Sequence, residues 1–98
     1  MENNILKENW SKILDNLEKK ISKPTLKTWF SNIEPFQFFN GILKINVPNK
    51  LVKNWLESKF HILLIKTAKE VIPELKDIEY LINDKNQIHY YQKKSVLK

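Results

Sequence analysis

The sequence predicts an α+β domain, in the order α-α-β-β-α-(α)-β, with a three-stranded sheet packed on one face by helices. Three observations predict it. Two amphipathic helical stripes divided by a proline open the chain. An Asn40-Gly41 pair then separates two strand-like runs, and a long helical stripe ending at Pro73 leads into one more alternating run. Helices grouped on one side of a small sheet are the layer arrangement that such an order can bury.

The first helix is expected near Ile5–Ile21. Leu6, Trp10, Ile13, Leu14, Leu17 and Ile21 recur at helical spacing, with Lys7, Glu8, Lys12, Asp15, Glu18 and Lys19 between them. Pro24 interrupts it, because the residue before a proline disfavours helix. A short second helix is expected near Thr25–Ile33, with Leu26, Trp29, Phe30 and Ile33 apolar. Pro24 suits its first turn, and Pro35 lies just past its end.

"PFQFFNGILKINVP" reads as a β-hairpin. Asn-Gly is the strongest short hairpin signal, since a type I′ turn needs positive φ at both central residues. A two-residue turn pairs Phe39 with Ile42, Phe38 with Leu43, Gln37 with Lys44 and Phe36 with Ile45. That places Phe36, Phe38, Leu43, Ile45 and Val47 on one face, and a one-residue slip destroys the sorting.

From Leu51 to Ile72 the apolar positions fit one long helix or two nearly continuous ones. Asn49 can cap its start and Pro73 stops its end. "LKDIEYLI" alternates Ile78, Tyr80 and Ile82 against Asp77 and Glu79, the pattern of a strand with one buried face. Residues 1–82 therefore form one domain, and 83–98 read as a tail or the start of a flexible linker, in which Ile88, Tyr90 and Tyr91 leave room for some order.

Composition limits the function. A chain of 98 residues with 42% hydrophobic and 11% aromatic content is a packed globule of one domain. It has no cysteine, which excludes disulfides, thiolate metal sites and cysteine nucleophiles and fits a reducing compartment. No apolar run approaches the roughly 18 residues of a membrane span. The first residues lack a signal-peptide layout, so a cytoplasmic protein is expected.

The net charge is +6. Residues 83–98 hold four lysines against one aspartate, and residues 1–82 hold thirteen lysines against ten acids, so half the excess sits in the tail. Every basic residue is lysine. Lysine lacks the flat fork that reads base edges bidentately, so specific base readout is not expected.

Catalytic chemistry is missing from the sequence. The single glycine, Gly41, belongs to the hairpin and cannot build a phosphate loop. His61 and His89 stand alone, whereas zinc needs three or four converging ligands, so each reads as a surface or packing histidine. The acids and hydroxyls are scattered over solvated faces. The functional signal must lie in surfaces, and an enzyme is not expected.

Three segments in this order carry a resemblance: Trp10 followed by Ile13, Leu14 and Leu17; "KKISKPTLKTWF" at residues 19–30; and "VPNKLVKNWLESKF" at residues 47–60. Together they resemble the N-terminal domain (domain I) of the bacterial replication initiator DnaA, over about residues 5–82. The resemblance implies a fold similar to a type II KH domain. It implies an interaction module that supports initiator self-association at the origin and recruits the replicative helicase. In some relatives such a module also binds species-specific regulators of initiation. It implies no cofactor in this domain, ATP belonging to the ATPase domain of a full-length initiator, to which a linker would join it along with a DNA-binding domain.

The same resemblance suggests sites. Trp10 matches a tryptophan of self-association, with Ile5 and Leu6 one turn earlier. The residues alone read it equally well as filling the stripe with Leu14 and Leu17. Thr25 lies where relatives present a polar or acidic residue to the helicase, and Leu51 where they present an apolar, often aromatic one. Both are departures from that pattern. Thr28, Trp29, Leu51 and Val52 match regulator-binding positions, although Trp29 alone reads as a core anchor. Val47, Trp55, Leu56 and Phe60 read as core, Pro48 and Asn49 as a corner, and Lys50 and Leu51 beside Thr25 as the presented part. On this reading Trp29→Ala unfolds the domain and Trp10→Ala mainly weakens self-association.

A KH-like fold also admits another reading, weak binding of single-stranded nucleic acid. A KH domain clamps nucleotides with a GXXG loop, which one glycine cannot supply. Scattered lysines leave only salt-sensitive contact.

Overall fold

A computed structural model describes residues 2–82. The expected tail at 83–98, with His89 in it, lies outside the described residues. The elements are α1 (Glu2–Glu18), α2 (Lys23–Phe30), β1 (Glu34–Phe39), β2 (Ile42–Val47), α3 (Lys50–Trp55), a π-helical turn (Leu56–Phe60), α4 (His61–Val71) and β3 (Asp77–Ile82). The α+β order expected from sequence is the order observed.

In α1 the stripe Trp10, Ile13 and Leu17 is buried, with Leu6 and Leu14 half-buried beside it and Ile21 half-buried just past its end. The helix stops at Glu18, sooner than expected. The amide of Lys20 donates to the Leu17 carbonyl at 2.8 Å, a tight final turn that redirects the chain. Ser22 then caps α2, its hydroxyl accepting the Thr25 N–H at 3.3 Å, with Pro24 in the first turn.

The sheet has the order β1-β2-β3. β1 and β2 pair antiparallel through the Asn40-Gly41 turn, whose φ values of +54° and +80° are those a type I′ turn needs. β2 and β3 pair parallel, from Ile42↔Asp77 to Val47↔Ile82. Parallel neighbours require a crossover, which α3, the π turn and α4 supply. Leu43, Ile45, Val47, Ile78 and Tyr80 are buried on one face, while Asp77 and Glu79 point to the other.

One part of the expected register is corrected. Phe39↔Ile42, Phe38↔Leu43 and Gln37↔Lys44 hold, but Ile45 pairs with Pro35 instead of Phe36. Phe36 is the extra residue of a β-bulge and is 56% exposed. β1 is an edge strand, so a bulge beside a proline without an amide proton interrupts no second ladder.

The long helical run is continuous but not uniformly α. Leu56–Phe60 widens to π spacing, the Ser58 hydroxyl turns back onto the Asn54 carbonyl, and Phe60 packs edge-to-face on Phe30 with centroids 5.6 Å apart. At the far end of the helical layer Lys20 ties α1 to α4. Its ammonium donates to Glu70 at 2.7 Å and to the buried Thr67 hydroxyl at 3.1 Å.

Candidate functional site

The corner between β2 and α3 is built by three residues. Val47 is buried at the strand end. Pro48 turns the chain, and Asn49 is extended, with its side-chain oxygen accepting the Val52 N–H at 2.9 Å. That cap fixes the rotation of α3's first turn. Val52 faces the core, 9% exposed, and Leu51 faces out, 68% exposed, next to exposed Lys50. Of the two apolar candidates here, Leu51 is therefore presented and Val52 is not.

Trp55 lies one turn after Leu51 and stacks on Trp29 of α2, with centroids 4.8 Å apart and planes 18° apart. Thr25 lies one turn before Trp29 on the same side of α2, and Thr28 is exposed beside it. Thr25 on α2 and Leu51 on α3 thus each lie one helical turn before a ring of the stack. Thr25 is half-buried, and its hydroxyl accepts from Ser22 at 2.8 Å. Trp29 is half-buried against the edge of the core, not at its centre.

Trp10 fills the buried stripe, one of the two readings the sequence left open to it. It is 5% exposed and belongs to the core, so its ring is not the surface of α1. Ile5, 59% exposed, and half-buried Leu6 are on that surface. They line a groove of about 490 Å³ whose other wall is Phe36, Phe38 and Phe39. Phe39 is 65% exposed. Of the five large apolar side chains exposed among the described residues, Ile5, Phe36 and Phe39 share this groove, and the others are Leu51 and Ile62. Sequence reasoning missed Phe36 because it assigned an unbroken ladder. Pro35 on an edge strand was the available signal.

A polar cluster lies between α4 and β3. His61 Nδ1 is 2.8 Å from the Tyr80 hydroxyl, and Nε2 is 3.2 Å from Asp77. Burial pushes the Tyr80 hydroxyl well above its ordinary pKa, and the nearby Glu57 and Asp77 charges push it further. His61 therefore ties a helix to a strand, a packing role. Among the described residues no group of three or more His, Asp or Glu side chains is placed to hold a metal, and no helix is long and apolar enough to cross a membrane.

Residues 7–70 match the family model of the DnaA N-terminal domain. The match runs from α1 to α4 and takes in Trp10, the Thr25–Trp29 face and the Asn49–Trp55 corner.

Proposed function

The chain belongs to the DnaA N-terminal domain family, and from that premise we propose that it is a non-catalytic docking module of replication initiation. One surface, centred on Leu51 with Lys50, Thr25 and Thr28 around it, receives the replicative helicase or a regulator of initiation. A second, the groove of Ile5 and Leu6 against Phe36 and Phe39, receives another copy in a weak self-association. Trp10 supports that second surface from beneath.

The observation that carries the first surface is the exposure of Leu51 beside a rigid indole stack. An apolar side chain held out by a capped helix turn and rimmed by polar residues is what a modest, transient interface requires. The uncharged lining of the second surface favours self-association, since copies carrying +6 each repel least where neither brings a charge.

The test is a titration of isotope-labelled chain with the cognate replicative helicase, followed residue by residue in NMR spectra. Signals of Thr25, Thr28, Lys50 and Leu51 are expected to move, and Leu51→Glu is expected to abolish binding with the spectrum otherwise intact. Undiminished binding by that variant would overturn the placement of the surface.

A further inference from the structure

A second groove opens on the other side of α2. Helical geometry advances about 100° per residue, so Lys23, Leu26, Lys27 and Phe30 share a face roughly opposite Thr25, Thr28 and Trp29. Leu14 and Glu18, one turn apart on α1, form the facing wall. The groove has a volume of about 690 Å³. Phe30 closes its floor at 1% exposure, and half-buried Leu14 and Leu26 form the sides.

The lips of this groove are charged. Glu18 on the α1 lip already faces Lys23 at 3.7 Å. Lys27 is exposed, and among the described residues no acidic side chain lies within ion-pair distance of it. Among the described residues the groove therefore offers apolar walls and, at Lys27, a positive charge with no acidic partner. We propose that it is a docking site for an acidic amphipathic helix of a protein partner. The helix's apolar stripe would lie between Leu14 and Leu26, with a carboxylate meeting Lys27. An apolar helix face in an apolar groove is a common recognition mode, and its charges set orientation. A second copy of this chain is disfavoured as occupant, because it brings net positive charge to a lysine rim.

The site is separate from the Leu51 surface, so the two are tested independently. Isotope-labelled chain is titrated with a helical peptide of Leu, Ala and Glu whose leucines fall at i, i+3, i+4 and i+7. A matched peptide carries Lys in place of Glu. Signals of Leu14, Leu26, Lys27 and Phe30 are expected to move with the acidic peptide, while Thr28 and Leu51 stay in place. Lys27→Glu is expected to weaken binding about threefold or more, in line with reversal of an exposed charge pair. Equal binding of the lysine peptide, unchanged affinity of Lys27→Glu, shifts confined to Leu51 or to the Ile5–Phe36 groove, or no shift at millimolar peptide would each overturn the proposal. Apart from shifts confined to Leu51, none of those results bears on helicase binding there.

Discussion

Trp29 and Trp55 stack face to face, 4.8 Å between ring centroids, and so press the C-terminal turn of α2 against the end of α3. Thr25 and Leu51 each lie one helical turn before one ring of the stack. Removing one ring should loosen the two helices and blur the surface together. Trp55→Ala is expected to cost roughly 2–4 kcal/mol, just below the range for fully buried aromatics because both rings are half-buried. Trp55→Phe is expected to keep most of that stability and of the helicase binding. Urea denaturation and a helicase titration on the same variants check both.

What the sequence could reveal depended on how local the cause was. The Asn40-Gly41 turn and the Asn49 cap were legible because their chemistry lies within four residues. The depth of a tryptophan was not. A helical stripe shows that Trp10 and Trp29 face inward, but neighbours distant in sequence decide that Trp10 is at the centre and Trp29 at the edge. The same limit applied to Leu51 and Val52. Adjacent positions on a helix face different ways, and only the cap geometry settled which pointed out. Phe36 was misplaced because alternation assumes an unbroken ladder, and nothing in "LESKF" announced a π turn.

Depth reverses the two tryptophan substitutions. Trp10→Ala opens a cavity in the core and is expected to cost about 3–5 kcal/mol, a large share of a small domain's stability. Trp29→Ala is expected to cost less, since part of its ring already faces solvent. Thermal melts of the two variants should rank Trp10→Ala lower. The opposite order would mean that Trp10 is not the deeper residue.

Self-association should respond to the groove and not to the core. Ile5→Glu and Phe36→Ser alter exposed side chains on facing walls, so each is expected to change stability by no more than about 0.5 kcal/mol. Each is expected to shift sedimentation at high concentration toward the monomer. A variant that melts normally and still associates like the parent would place the self-contact elsewhere.

Gly41 is fixed by two independent constraints. Its φ of +80° is costly for any residue with a Cβ, and a Cβ there would lie 2.7 Å from Cγ of Lys76. The Gly41 carbonyl also accepts the Lys76 amide at 2.7 Å, which joins the hairpin turn to the start of β3. Gly41→Ala is expected to destabilise by about 1–2 kcal/mol or more. Lys76→Ala should recover only the clash with its own side chain, because it leaves φ and the Glu74 carbonyl, 3.2 Å from such a Cβ, unchanged. Denaturation of the single and double variants separates the two contributions.

Tyr80 should make the fold sensitive to alkali. Its hydroxyl is held protonated by burial and by the charges of Glu57 and Asp77, well above the ordinary value of 10.0. Below pH 10 the group is neutral in both folded and unfolded chains and adds no pH dependence. Above it, the unfolded chain releases a proton that the folded chain retains, so stability falls as pH rises toward the folded pKa. The fall is up to about 1.4 kcal/mol per pH unit for one such group. Tyr80→Phe loses the contact with His61 at 2.8 Å and is expected to be about 1 kcal/mol less stable at pH 8. It cannot ionise, so its deficit should shrink and then reverse between pH 10 and pH 11. Urea denaturation of both proteins across that range measures the crossing, and parallel curves would show that Tyr80 ionises as freely folded as unfolded.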